Sequence, residues 1–192
     1  MSRVTQLVLA SASPRRQELL ASLGLAFTVH PSHVPEQHPP GNAALAMVAV
    51  ALAKARAVAR EQTSPAVVLG ADTEVVLDGR YLGKPADLPD ALRMLRALRG
   101  RTHEVITGVA LVEAPGGREE TAAVVTRVTM TNATDEDLAA YVATGEPLDK
   151  AGAYAVQGRG SLLIDRIDGC YTNVVGLPVE TTRRLLQRLG LL

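Results

Sequence analysis

At 192 residues, 47% hydrophobic and 21% charged, the chain is long enough for a sizeable core and too apolar for wholesale disorder. Its 20 Lys and Arg cancel its 20 Asp and Glu, which excludes the broad basic field of nucleic-acid and anionic-membrane binders and leaves any anion site to a local cluster. The single Cys170 excludes an internal disulfide framework and a cysteine metal site, and it suits a reducing cytosol.

The opening MSRVTQLVLAS carries an apolar run too short for a secretory signal. A strand is predicted over residues 6–10, followed by a helix from Pro14 to about Ser22 with Ser13 as its N-cap. AFTVH (26–30) reads as a second strand, and PSHVPEQHPPG (31–41) as a loop with two histidines. An Ala-rich helix is predicted from about Asn42 to Glu61; Lys54, Arg56 and Arg60 exclude it as a membrane span. AVVLGAD (66–72) reads as a buried strand delivering Asp72 to a sheet edge, and EVVLDGRYLG as a hairpin turning at Asp78-Gly79. Asp87 and Asp90 have capping-box spacing before a helix closed by Gly100. THEVITGVALVEA and TAAVVTRVTMTN form an antiparallel pair around PGG. Thr134 and Asp137 cap a helix ending at Gly145, LLIDRIDG is a late strand, and PVETTRRLLQRL is a closing amphipathic helix. Hairpins mixed with helices predict an α/β or α+β fold with a mixed sheet.

Several segments could carry chemistry. A helix N-terminus favours an anion, serine hydroxyls add donors, and arginine forks match phosphate oxygens in pairs. Ser11, Ser13, Arg15 and Arg16 therefore read either as a phosphate cradle or as ordinary capping. Asp72 and Thr73 follow an apolar strand, where side chains reach a ligand crevice or merely cap a turn. Taken singly, Lys54, Lys84 and Lys150 read as solvated surface lysines. His33, Glu36 and His38 lack the helical spacing of a metal site, and His103 within a strand reads as structural. The small residues of AGAYAVQGRG (151–160) read, on their own, as a flexible turn around Gln157.

Five blocks combine. LASASPRRQELL, GADTEVVLDGRYLGKP, MLRALRGRTHEVITGVAL, YVATGEPLDKAGAYAVQG and VVGLPVETTRRLL follow one another in an order and spacing that resembles the Maf family of nucleoside triphosphate pyrophosphatases, over nearly the whole chain. The resemblance implies one α/β domain over residues 1–192, a long bent mixed β-sheet flanked by helices, with two lobes and a central cleft as in inosine triphosphate pyrophosphatases. It implies a cytoplasmic enzyme cleaving the α–β phosphoanhydride to a monophosphate and pyrophosphate, with a divalent cation, Mg2+ or Mn2+. Homodimers are common in the family, and neither nucleic acid nor membrane is an implied partner. Asp72 matches the family's proton acceptor, and Glu36 with Asp72 would hold the metal. Ser11, Ser13, Arg15, Arg16, Lys54, Thr73, Lys84, Lys150 and Gln157 match substrate-binding positions.

Arg15, Thr73 and Gln157 resemble the subgroup acting on dTTP and UTP. The subgroup acting on 7-methyl-GTP carries tryptophan, glutamine and glutamate there. The base edges explain the last difference: a pyrimidine imide pairs an acceptor with a donor, which one carboxamide satisfies, whereas guanine presents two donors to a carboxylate. One departure is Pro35, where the family usually has a second acid beside Glu36, so Asp72 is the better-founded ligand or base. The alternatives to a dTTP/UTP pyrophosphatase are the 7-methyl-GTP type and a nucleotide-binding regulator of cell division.

Overall fold

Strand β1 (Gln6–Leu9) opens the described part of the chain, which in this computed structural model comprises residues 6–38 and 41–192. The first five residues of the N-terminal run, and the two prolines at 39–40 in the histidine loop, lie outside the described residues. Two compact units share the chain. One holds the described residues through Asp72 with Thr107–Val124 and Gly176–Leu192; the other holds Thr73–Ile106 and Val125–Val175.

In the first unit, β1 pairs in parallel with β2 (Phe27–Val29), Leu7 opposite Phe27, and with β3 (Ala66–Leu77), Leu7 opposite Val67. Parallel neighbours need crossovers, and helices supply them. Helix α1 (Pro14–Ala21) joins β1 to β2, and α2 (Ala43–Arg60) joins β2 to β3. Side chains alternate across the sheet. Leu7 and Leu9 enter one core with Leu20, Val67, Leu69, Leu111, Leu177 and Leu186. Val8 and Ala10 enter another with Ala51, Ala55, Val58, Val68 and Ala110.

The alanines of α2 let it approach the sheet at backbone distance. A Cβ built on Gly70 would lie 2.2 Å from the Ala51 carbonyl oxygen, and one on Gly108 2.2 Å from that of Met47. The apolar helix is thus a close-packed core helix, and no described helix is long and apolar enough to cross a membrane. Its buried stripe runs Met47, Val50, Ala51, Lys54, Ala55, Val58. The surface reading of Lys54 is therefore corrected: helical periodicity turns it inward with Ala51 and Val58.

Strand β3 also departs from expectation. It does not end at Asp72 but runs on to Leu77, with Asp72 and Glu74 both buried. Their partners come from elsewhere in the chain, which is why the polar stretch does not break the strand. In the second unit β3 turns at Asp78 and Gly79, both at positive φ, into β4 (Arg80–Tyr81), antiparallel as predicted.

Helix α3 (Leu88–Leu98) is capped by Asp87, whose Oδ1 accepts the Asp90 N–H; Asp90 reaches back to the Ala86 N–H, one residue beyond a true capping box. Helix α4 (Asp135–Val142) has the full reciprocal box of Thr134 and Asp137. Strands β5 (Thr102–Ala114) and β6 (Glu119–Met130) are neighbours, and β7 (Ile164–Asp168) pairs antiparallel with β6. Leu162 and Leu163, predicted as strand, instead close a 3-10 turn over Gly158–Leu163. Helices α5 (Tyr171–Val175) and α6 (Val179–Arg188) complete the chain, the latter in the first unit. The core of the second unit gathers Val75, Leu77, Met94, Leu95, Leu98, Val128, Leu138 and Leu163. A mixed sheet flanked by helices is the predicted class.

His103, on β5, is buried at 2% exposure with Nε2 2.7 Å from the Tyr154 hydroxyl. Burial pushes its imidazole from 6.5 down to about 4. The unfolded chain takes up the proton first, so this residue's contribution is complete above pH 6.5 and is lost as pH falls toward 4. At 1.36 kcal/mol per pKa unit the loss is about 3 kcal/mol. Urea unfolding should show the wild type losing about that much more than His103→Gln between pH 7 and pH 4. Parallel losses in the two proteins would remove His103 as the source.

Candidate active site

The first unit brings six of the predicted residues into direct contact, in two groups. Ser13 caps α1, accepting the Arg16 N–H at 3.5 Å. Ser11 Oγ accepts the Ser13 N–H and one Arg16 Nη1 donor, each at 3.3 Å, while Arg16 Nε donates to the Gly176 carbonyl at 2.9 Å. Capping and arginine placement are thus one construction, since the Ser11 hydroxyl that accepts the Ser13 N–H also accepts from the Arg16 guanidinium. Arg15, on the same turn, is half-buried.

The second group is ionic. Lys54 Nζ donates to Glu36 Oε1 and to Asp72 Oδ1, both at 2.6 Å. Asp72 Oδ2 accepts from His38 Nε2 at 2.8 Å. The Lys54 and Asp72 side chains are only 6% and 4% exposed, so each charge depends on the other, whereas Glu36 at 52% remains largely in water. Burial pushes the Arg16 guanidinium below its ordinary value, and the charges on Asp72 and Glu36 pull the other way, which ties the two groups together electrostatically.

Two carboxylate oxygens therefore point at one cationic nitrogen, on a loop and a strand far apart in sequence. Hard oxygen donors in that number suit magnesium or manganese, which take one or two carboxylates and complete their shell with phosphate oxygens and water. Among the described residues no three His, Cys, Asp or Glu gather into a fuller cage. The donor set fits a cation shared with a phosphorylated ligand, and not a resident structural ion.

The remaining predicted residues lie in the second unit. Thr73 follows Asp72 on β3 and is half-buried. Lys84 is exposed on the loop leaving β4. That loop is anchored by the buried Glu74, whose Oε2 accepts the Gly83 N–H at 3.1 Å. The Gly83 carbonyl in turn accepts the Gly152 N–H at 2.8 Å, joining the Lys84 loop to the segment with Lys150 and Gln157. Lys150 Nζ donates to the Glu146 carbonyl at 3.0 Å and to Asp149 Oδ1. Gln157 is exposed and spends no side-chain bond on capping the turn it starts.

The reading of 151–160 as a flexible turn is corrected. Gly152 and Gly160 are buried, and a Cβ on Gly152 would lie 2.9 Å from Val75 Cγ1. A hollow of about 560 Å3 in this unit, lined by Thr131, Tyr141, Arg159 and Leu162 among others, includes none of the predicted site residues.

Three site neighbours escape the sequence reading, Glu74, Tyr141 and Glu146, while His38, set aside there as a metal ligand, is a hydrogen-bond partner of Asp72. His38 lies two residues from Glu36, and Glu146 four from Lys150. Proximity to a candidate is the signal that marks each of them.

Comparison with known proteins follows the same lines. A 56% identical relative from Moorella thermoacetica, over 97% of this chain and 96% of its own length, is named dTTP/UTP pyrophosphatase. So is a 51% identical relative from Geobacter metallireducens, matched over the full length of both chains. One from Synechococcus, 45% identical over 96% of this chain and 94% of its own, is named nucleoside triphosphate pyrophosphatase. A solved structure of a HAM1 protein from Coxiella burnetii shares the fold, with a TM-score of 0.54, 19% identity, and coverage of 96% of this chain and 100% of that one. The family model described as Maf-like protein matches residues 6–189, and the chain belongs to that family.

Proposed function

We propose that this chain is a nucleoside triphosphate pyrophosphatase acting on dTTP and UTP. The observation that carries the reading is the buried Asp72, held on one oxygen by Lys54 and on the other by His38, in a chain 56% identical to a relative of that name. In the reaction a water oxygen attacks phosphorus, the α–β anhydride bond breaks, and the nucleotide leaves as monophosphate with pyrophosphate as the second product. Asp72 accepts the proton of that water, its carboxylate oriented by the two donors it accepts from. A divalent cation, when bound by Glu36 and Asp72, supplies positive charge to the anhydride oxygens.

Arg16 with Ser11, together with Arg15, Ser13, Lys54, Lys84 and Lys150, is assigned to phosphate. Charged forks and ammonium groups give the strong hydrogen bonds such a polyanion needs. Gln157 is assigned to the base, reading the pyrimidine imide with its carbonyl and amide, and Arg15 and Thr73 support the same subgroup. The single free thiol supports work in a reducing cytoplasm.

The test is a nucleotide panel with magnesium and product analysis. dTTP and UTP should lead, with pyrophosphate released in one step. Preference for 7-methyl-GTP or a purine triphosphate would overturn the specificity. Gln157→Glu should weaken kcat/KM for dTTP more than tenfold, since a donor or acceptor left unmet once the bound base covers it costs about 1–3 kcal/mol. An unchanged kcat/KM would remove Gln157 from the base.

A further inference from the structure

We propose that Glu146 is a positioning residue for base discrimination, setting Gln157 by clamping the backbone on both sides of it. The inference rests on the reading of Gln157 as the base contact.

Three hydrogen bonds converge on the Glu146 carboxylate. Oε1 accepts the Tyr141 hydroxyl and the Gly160 N–H, each at 3.1 Å, and Oε2 accepts the Arg159 N–H at 3.3 Å. The Tyr141 oxygen also accepts the Ala155 N–H at 3.1 Å, so the network grips the chain two residues before Gln157 and two residues after it. Burial and the nearby Glu146 charge push the Tyr141 phenol upward, which keeps its proton in place to be donated.

Glycine at 158 belongs to the same device. Its φ is +68°, a conformation that favours glycine, and a Cβ there would lie 2.9 Å from Glu146 Oε2, so any side chain at 158 would push on the carboxylate. The Glu146 carbonyl also accepts Lys150 Nζ, which places a second substrate-binding candidate on the same residue. Gln157 is itself exposed and takes no part in capping. An exposed carboxamide discriminates only if its backbone is fixed, and Glu146 with Tyr141 fixes it.

Glutamine at 146 keeps the shape and replaces one acceptor by a donor, which then faces an N–H. Glu146→Gln should therefore cut the preference for dTTP over CTP at least tenfold, mainly through a raised KM for dTTP. The inhibition constant of pyrophosphate should stay within twofold of wild type, because the phosphate groups are held by other residues. Tyr141→Phe should shift the preference the same way by about threefold, and it decides the matter if Glu146→Gln does not fold.

Preference retained in a folded variant overturns the clamp. So does parallel loss of pyrophosphate affinity, since that means collapse of the site and not misplacement of the base reader. Gln157→Glu, measured alongside, separates the layers. If it shifts the preference while the Glu146 and Tyr141 variants do not, the clamp alone fails. If it too leaves preference untouched, the base reading fails and the clamp with it.

Discussion

Replacing Asp72 by asparagine is expected to lower kcat for dTTP by about 10²–10⁴-fold, the range lost when a positioned general base is removed. The substitution is isosteric, so folding around it should persist, and what changes is hydrogen-bond character. Asp72 accepts on both oxygens, from Lys54 at 2.6 Å and from His38 at 2.8 Å. An asparagine can accept on one only, and its amide must face either the Lys54 ammonium or the His38 ring. Proton acceptance by the carboxylate is lost whichever way it turns. Binding of pyrophosphate, titrated by calorimetry, should survive within a few-fold, because the arginine and lysine donors are intact. A variant that keeps turnover within fivefold of wild type would remove Asp72 as the base.

Local signals were legible where a residue's partner is close in sequence. Ser13 before Pro14, Thr134 with Asp137, and the Asp78-Gly79 turn all behave as their spacing predicts, because each satisfies backbone groups within four residues. Distant partners could not be read that way. The ADTE stretch looks like the end of a strand, yet β3 continues through it. Asp72 is met by Lys54 and His38, and Glu74 by the Gly83 N–H.

Lys54 was legible in principle, since it lies three residues from Ala51 and four from Val58 on a helix whose inward stripe is otherwise apolar. The usual surface position of lysine outweighed that pattern. The AGAYAVQGRG segment fails for a related reason. Small residues signify looseness when nothing surrounds them and close packing when something does, and the surroundings here are Val75 and the Gly83 loop. Family resemblance supplied the list of site residues, whereas the geometry adds what holds them: His38, Glu74, Tyr141 and Glu146.

The second large effect is expected at Lys54. Lys54→Met keeps an unbranched side chain of similar length and removes the ammonium that both carboxylates share. Asp72, 4% exposed, then loses its ammonium partner, and breaking a buried pair from one side costs about 3–5 kcal/mol. For a chain of this size that is a fall in Tm of about 10 °C, with kcat/KM for dTTP down at least a hundredfold. Asp72→Asn alone should destabilise less, because Lys54 retains Glu36, half in water on the other side.

The combination separates stability from catalysis. Lys54→Met with Asp72→Asn leaves a neutral amide facing an apolar chain, so most of the lost Tm should return while activity stays absent. Recovery of this kind is non-additive in free energy, the signature of two residues coupled through direct contact. A double variant whose Tm loss equals the sum of the two single losses would show that the Lys54–Asp72 contact is not what stabilises this part of the fold. Lys54 would then be a phosphate ligand that happens to lie beside the acid.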